Sequence, residues 1–168
     1  MNFFVSGTDT DVGKSYICRY LALAFSKSGK KTGYLKPFQN VFAEGVDPDA
    51  KNAEKTVSDV SATTSFTTAI PCTPLISAQM AGIDYDLEKV KKDYEDLSAL
   101  CDITIVEGSG GLYVPVKKGV LMSDVIKFLN LPLLIVARPD LGTINHTLMT
   151  IKCAKIDGIK ILGTVISN

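Results

Sequence analysis

The sequence has no excess of charge of either sign, because its 18 basic residues balance its 18 acidic residues. A chain without net charge exerts no overall attraction on nucleic acid or on an anionic membrane surface. We therefore expect neither as a partner, and any anion that the protein binds must be held by local chemistry.

Cysteine and histidine motifs are also missing. The four cysteines are scattered without a Cys-x-x-Cys pair, and the chain has a single histidine. This pattern does not favour a disulfide framework or a zinc site, whereas reduced thiols fit a cytoplasmic protein. There is also no apolar run near the ~20 residues that span a bilayer, and no basic-then-apolar leader. These absences predict a soluble, cytoplasmic protein.

Short apolar runs alternate with helical patterns along the 168 residues. They predict strands at 2–6, 32–36, 103–106, 132–137 and 159–166, and helices at 14–28, 49–57, 75–81, 87–100, 121–129 and 143–156. Pro37 is expected to end the second strand, because proline cannot donate to a sheet ladder, and 63–74 is expected to be loop. The continuous apolar runs predict an α/β fold in one domain, with a doubly wound, mainly parallel sheet and helices on both faces.

The most specific motif is Gly7-Thr-Asp-Thr-Asp-Val-Gly-Lys-Ser15, which follows a predicted strand and opens a predicted helix. Backbone N–H groups at such a helix start point at an anion, and the helix dipole favours negative charge there. Gly13 allows close backbone approach, Lys14 would reach the outer phosphates, and the Ser15 hydroxyl would bind Mg²⁺. Thr8 stands at a position where the usual spacing of a phosphate loop has Gly or Ala. The alternative interpretation of this segment is a plain glycine turn between strand and helix, with a solvated lysine.

Two carboxylates in this loop, Asp9 and Asp11, stand where most phosphate loops are neutral. Carboxylates repel a triphosphate unless they bind a metal or face another ligand. Their presence indicates that a cationic group of a second substrate approaches the loop.

Other polar residues follow predicted strands, at the sheet edge where ligands gather in open α/β folds. Lys36 can neutralise charge on a transferring phosphoryl group, although a surface lysine is an equal interpretation. Glu107, at the tip of an apolar strand and before several glycines, is typical of a Walker-B-type Mg²⁺ ligand. Asp49 alone indicates a helix N-cap. His146 lies in the first turn of a helix, where a structural hydrogen bond is favoured over a general base.

In this order, the motifs resemble those of the dethiobiotin synthetase family over nearly the whole chain. The matching segments are the phosphate loop, the Lys-Pro pair at 36–37, Ile76-Ser-Ala-Gln79, Val106-Glu-Gly-Ser-Gly-Gly111 and Leu141-Gly-Thr-Ile-Asn-His146. The resemblance implies a P-loop NTPase-like homodimer that converts 7,8-diaminopelargonate, CO₂ and ATP into dethiobiotin, ADP and phosphate in biotin biosynthesis. One amine forms a carbamate, the γ-phosphoryl group moves to it, and the other amine closes the ring.

The resemblance also implies residue roles. The catalytic residues would be Lys14, Lys36 and Thr10, and Mg²⁺ would be held by Ser15, Asp49 and Glu107. The residues that would bind the nucleotide are Asp11, Val12, Gly13, Lys14, Ser15, Tyr16 and Asn168. The residues that would bind the substrate are Thr10, Lys36, Asn40, Gly110 and Gly111, together with Gly142, Thr143, Ile144 and Asn145 across the dimer interface.

The chain departs from the family pattern at two places. Asn40 and Val41 stand where the family usually has a small hydroxyl residue and then glycine, so contacts to the carbamate are expected to differ. The family normally continues for several tens of residues beyond Asn168, with segments that pack around the nucleotide base. We therefore expect an ATP-binding synthetase domain over 1–168, and either the family's further segment is missing from it or its choice of nucleotide is looser.

Three other functions are compatible with a phosphate loop. A synthetase domain of cobyrinate amidation would be accompanied by a glutamine-hydrolysing domain. A partitioning-type ATPase switch would carry a second lysine early in the loop, where this chain has Thr and Asp. A nucleotide-binding module without chemistry is the third alternative.

Overall fold

A computed structural model of the protein describes residues 1–40, 49, 53 and 59–167. The predicted helix at 49–57 lies largely outside the described residues, as do Val41 and the predicted nucleotide contact of Asn168.

Strands and helices alternate along the described chain. The strands are β1 (Phe3–Gly7), β2 (Thr32–Asn40), β3 (Val60–Thr68), β4 (Ile103–Gly111), β5 (Pro115–Lys117), β6 (Val120–Leu121), β7 (Leu133–Ala137) and β8 (Ile161–Ile166). The helices are α1 (Lys14–Lys27), α2 (Pro74–Ala81), α3 (Leu87–Leu100), α4 (Met122–Phe128) and α5 (Thr143–Ile156). None of these helices is both long enough and apolar enough to cross a bilayer.

Six of the strands form one sheet in the order β3-β2-β4-β1-β7-β8, and β5 pairs with β6 in a separate hairpin. Every pair in the six-stranded sheet is parallel. From β1 the chain crosses to β2 on one side, and it later returns to β7 on the other side of β1. In open α/β sheets, ligands bind at the carboxyl ends of the strands beside such a change of direction. The topology therefore places a binding crevice at the end of β1.

Helices cover both faces of the sheet, as the sequence predicts. Neighbouring residues of β1 point to opposite faces, and each face has its own buried cluster. Phe4 packs in a cluster with Val90 of α3 and Ile126 of α4, whereas Phe3 packs in a cluster with Ile17 of α1. Burial of large apolar side chains on both faces stabilises the parallel sheet and explains why its strands are continuously apolar.

Two predictions about β2 and β3 were wrong. β2 continues through Pro37 to Asn40. Pairing with β4 ends at Leu35, and Pro37 has no partner in the register with β3, so its missing N–H removes no bond from the ladder. The segment 63–68 belongs to β3, an edge strand, rather than to a loop. Its threonines are β-branched and suit a half-exposed strand, although they do not form an apolar run.

β4 is also longer than the predicted strand, because it continues through Glu107 to Gly111. Gly108 lies inside this strand, where a Cβ atom would be 2.7 Å from Cε1 of Phe4. A glycine here is therefore required by packing, and the strand carries Glu107 into the sheet instead of leaving it on a loop.

We expect Gly108→Ala to lower the free energy of unfolding by about 1–3 kcal/mol, because the added methyl group overpacks the buried Phe4 ring. Urea denaturation of both proteins measures the difference. Gly163→Ala on β8 is the matched control, since a Cβ there meets no atom within 4 Å. Equal losses in the two variants would contradict the steric explanation.

Candidate active site

A cavity of about 670 Å³ opens at the carboxyl edge of the sheet, between the phosphate loop, β2, β4 and the segment that precedes α2. Its walls consist of Thr10, Asp11, Gly13, Lys14, Ser15, Tyr16, Lys36, Phe38, Gln39, Asn40, Asp49, Pro71, Cys72, Thr73, Pro74, Glu107, Ser109, Gly110 and Val114. Most of the predicted catalytic, nucleotide and metal residues thus share one cavity.

The phosphate loop connects β1 to α1 and exposes the start of that helix to the cavity. Gly13 is the N-cap residue with a φ of +89°, a left-handed conformation that glycine adopts without strain. Its Cβ would also lie 2.2 Å from Oγ of Ser167. No side chain of the described residues caps α1, so its first-turn N–H groups keep their capacity to bind an anion.

Lys14 bends back over this loop. Its Nζ donates a hydrogen bond to the carbonyl oxygen of Asp9 at 3.1 Å. Burial lowers the pKa of Lys14, with the nearby Lys36 acting in the same direction, while the Glu107 carboxylate opposes the shift. A largely desolvated ammonium group beside the loop amides is suited to an incoming phosphate, which would replace the solvation that burial has removed.

Glu107 is the centre of the polar network beneath the cavity. Its side chain is fully buried. Oε1 accepts hydrogen bonds from Oγ of Ser15 at 2.7 Å and from Nζ of Lys36, and Oε2 accepts one from the Tyr34 hydroxyl. A buried carboxylate is tolerated only when it is paired and hydrogen-bonded, and these three donors satisfy that requirement.

Lys36 joins this network to Asp49, whose Oδ2 lies 2.8 Å from Nζ. Burial alone would lower the pKa of Lys36, but the carboxylates of Glu107 and Asp49 outweigh burial and raise it. Burial would raise the pKa of Asp49, and the Lys36 ammonium group reverses this and lowers it. Lys36 and Asp49 are therefore charged near neutral pH, and the Lys36 ammonium group lies between the Asp49 and Glu107 side chains.

The oxygen atoms of Ser15, Glu107 and Asp49 are hard donors of the kind that Mg²⁺ prefers. The described residues contain no group of three or more His, Cys, Asp or Glu side chains that could hold an ion without help. Mg²⁺ commonly binds one or two carboxylates while phosphates and water fill its other positions. The residues present fit that mode, in which a nucleotide supplies part of the coordination.

Several predicted substrate residues lie away from this cavity. Gly110 lines it, but Gly111 does not. Gly142 is the N-cap of α5, and Thr143, Ile144 and Asn145 form the first turn of that helix. This turn contributes nothing to the cavity of the single chain. Their predicted contact with substrate would require a second subunit.

Asn40 lines the cavity, yet its amide group is engaged within the protein. Its Nδ2 donates to the carbonyl oxygen of Cys72 at 2.6 Å, and its Oδ1 accepts from Oγ1 of Thr68 at 2.7 Å. Asn40 thereby fixes the segment 71–74 against the end of β2. It shapes the cavity wall, and its predicted contact with substrate has to be made alongside these two bonds.

Sequence reasoning missed Tyr34 and the segment 71–74 as parts of the site. Tyr34 precedes Lys36 by two residues on β2, so both side chains point to the same face of the sheet, and this spacing was the available signal. Burial and the Glu107 carboxylate raise the pKa of Tyr34, which keeps its hydroxyl a donor. No local pattern marks Cys72 or Pro71 as cavity residues, because they reach it only through tertiary packing.

A parallel sheet with a phosphate loop after β1 and a buried acid on the neighbouring strand defines a P-loop nucleotide-binding protein. A family model described as an AAA domain matches residues 1–168. An ATP-dependent dethiobiotin synthetase of Methanocaldococcus jannaschii is 40% identical, with 98% of this chain and 78% of the relative covered. The Bacillus subtilis enzyme of the same name is 37% identical, with 99% and 74% covered. The chain belongs to the ATP-dependent dethiobiotin synthetase family.

Solved structures with the same fold are more distant in sequence. The kinase domain of Escherichia coli tyrosine kinase ETK has a TM-score of 0.68 and 15% identity, over 99% of this chain and 67% of that chain. The septum site-determining protein MinD of Pyrococcus horikoshii has a TM-score of 0.58 and 14% identity, over 99% and 70%. These likenesses show the fold alone.

The comparisons and the sheet topology together confirm three predictions: the family, the ATP-dependent enzyme class and the doubly wound parallel α/β fold.

Proposed function

We propose that this chain closes the ureido ring of dethiobiotin from 7,8-diaminopelargonate and CO₂, at the expense of ATP, in the biosynthesis of biotin. The observation that carries the proposal is the convergence of Lys14, Ser15, Lys36 and Glu107 on one cavity, beside a helix start that no described side chain caps. Membership in the dethiobiotin synthetase family supplies the substrates that this arrangement would serve.

The reaction needs positioning and charge neutralisation rather than a protein nucleophile. One substrate amine adds to CO₂ and loses a proton, which gives a carbamate. A carbamate oxygen then attacks the γ-phosphorus of ATP and ADP leaves. The second amine attacks the carbonyl carbon of the mixed anhydride, phosphate departs, the amine nitrogen loses a proton, and the cyclic urea forms. No redox change occurs in any of these steps.

The chain's own residues take distinct parts in this sequence. The amides of residues 12–15 bind the β- and γ-phosphates, and Lys14 neutralises the charge that develops on the transferring group. Lys36 lines the same cavity near Lys14 and would pair with the carbamate and the γ-phosphoryl group. Thr10 and Asp11 line the loop side of the same cavity, where Asp11 faces the substrate's amines. Both lysines are thus placed to stabilise the transition state.

Ser15, Glu107 and Asp49 are the proposed ligands of Mg²⁺, which supplies Lewis-acid stabilisation of phosphate oxygens when bound. Oγ of Ser15 donates a hydrogen bond to Oε1 of Glu107 at 2.7 Å, so these two oxygens lie side by side at the cavity, and a bound metal ion would replace the bond between them.

A homodimer would complete the substrate site. Ile144 and Leu148, four residues apart on α5, lie on one side of that helix and are exposed in the single chain, as is Leu141 just before the helix. Burial of this apolar strip against a second copy would bring the amides of 142–145 to the carboxylate end of the diamine. The enzyme is proposed to work in the cytoplasm, where ATP is available.

Diamine-dependent release of ADP tests the proposed function. The protein is mixed with Mg²⁺–ATP and bicarbonate, and ADP release is compared with and without 7,8-diaminopelargonate. We expect release to require the diamine and dethiobiotin to appear in step with ADP. A rate of ADP release that does not depend on the diamine would instead favour an ATPase of the partitioning-switch type and overturn the proposal.

A further inference from the structure

The two oxygens of the Glu107 carboxylate differ in their access to the cavity. Oε1 accepts its hydrogen bonds from Ser15 and Lys36, which both line the cavity. Oε2 accepts a hydrogen bond from Tyr34, which is fully buried and absent from the described cavity wall. One oxygen thus faces incoming ligands, and the other is tied to the protein interior.

The Tyr34 hydroxyl is held in place by the centre of the sheet. Tyr34 is paired with Ile105 of β4 on one side and with Ala62 of β3 on the other. Its ring is buried in the cluster beneath α1, with Ile17 and Cys18. Because neither the backbone nor the ring can move without opening this cluster, the hydroxyl is a fixed donor.

The partners of Oε1 are of a different kind. The Lys36 side chain is a flexible stem whose ammonium group can turn to a substrate anion, and the Ser15 hydroxyl can rotate to a new partner. Ligand binding can therefore release Oε1 from both donors, whereas Oε2 keeps its bond to Tyr34.

We propose that Tyr34 is a positioning residue that restricts Glu107 to one metal-binding oxygen and thereby favours Mg²⁺ over Ca²⁺. The inference rests on the proposed function, in which Glu107 holds the metal ion. Mg²⁺ requires near-octahedral geometry and is served by single carboxylate oxygens, whereas Ca²⁺ takes more ligands and accepts carboxylates through both oxygens. A carboxylate with one oxygen occupied by a rigid donor suits the smaller ion.

The test is the affinity of ADP measured by calorimetry in saturating Mg²⁺, in saturating Ca²⁺ and in a chelator, for wild type and Tyr34→Phe. We expect wild type to bind ADP more tightly with Mg²⁺ than with Ca²⁺. In Tyr34→Phe, with Oε2 free to bind the metal, the ratio of the two affinities should move toward Ca²⁺ by roughly 10-fold. An unchanged ratio would overturn the proposal.

Tyr85→Phe is the matched control, because Tyr85 is similarly buried and its hydroxyl has no hydrogen-bond partner among the described residues. This variant should keep the wild-type ratio.

Glu107→Gln tests the proposed metal ligand separately from the role of Tyr34. If metal ions improve ADP binding equally in wild type and Glu107→Gln, Glu107 is not a metal ligand. If Tyr34→Phe does not fold, equal ADP affinity with both ions in wild type contradicts the selectivity, and a clear preference for Mg²⁺ supports it.

Discussion

Replacing Lys14 by alanine is expected to lower kcat for dethiobiotin formation by about 1,000-fold, the upper range for removal of one preorganised donor. Nζ of Lys14 lies 3.1 Å from the carbonyl oxygen of Asp9 in the phosphate loop. A phosphate bound at the start of α1 would replace that weak contact with a charge-assisted one. The loss should therefore appear mainly in the transition state, and steady-state kinetics with ATP and the diamine measure it.

Folding should survive this change. The pKa of Lys14 is lowered by burial, which means that the folded chain disfavours its charged form. Removal of the ammonium group should accordingly leave the thermal midpoint near that of wild type. Lys27→Ala, in the last turn of the same helix and exposed, is the control and should keep full activity. A Lys14→Ala enzyme with a near-normal rate would mean that the loop does not bind the transferring phosphate.

Replacing Lys36 by methionine is expected to affect both stability and activity. Its side chain is 8% exposed and that of Glu107 is 0% exposed, so the change leaves a buried carboxylate without its cation. Breaking a buried ion pair from one side costs about 3–5 kcal/mol. Activity should be lost as well, because no other described ammonium group joins Asp49 to Glu107 in the cavity. Urea denaturation and kinetics measure the two effects.

The stability difference should depend on pH in a defined direction. The folded pKa of Lys36 is raised above its ordinary value of 10.5. Its stabilising contribution is therefore complete below that value and is lost as the pH rises through the higher folded pKa. The gap between wild type and Lys36→Met should stay wide at neutral pH and narrow only in strong alkali. Lys30→Met, at an exposed position, is the control, and an equally large loss there would show that the buried pair is not the cause.

The fold was largely predictable because most strands are continuous apolar runs. Predicted helices at 87–100 and 143–156 agree with α3 and α5. The failures at Pro37 and at 63–68 have a common cause. Both positions lie where the sheet is only partly paired. Pro37 follows the last β2–β4 pair, so its missing N–H costs no hydrogen bond of that ladder, and 63–68 lies on an edge strand, where polar threonines are tolerated.

The site was predictable where strand ends carry the chemistry. Lys36 and Glu107 lie on the adjacent parallel strands β2 and β4, directly after the last pair of that ladder, so the pairing of these strands brings them together. The two-residue spacing from Lys36 indicated the face on which Tyr34 lies but not its bond to Glu107, which depends on the register between β2 and β4. The segment 71–74 was not predictable, because it is held at the cavity by the bond from Asn40 to Cys72. The roles of Gly142–Asn145 stay predictions, since a single chain does not bring them to the cavity.

A structure of the protein with Mg²⁺ and a non-hydrolysable ATP analogue tests the central claim most directly. The expected result is a triphosphate bound by the amides of residues 12–15, with its γ-phosphate beside Lys14 and a metal ion between Ser15 and Glu107. A metal ion bound away from Glu107, or a triphosphate outside the amide loop, would contradict the proposed site and the chemistry derived from it.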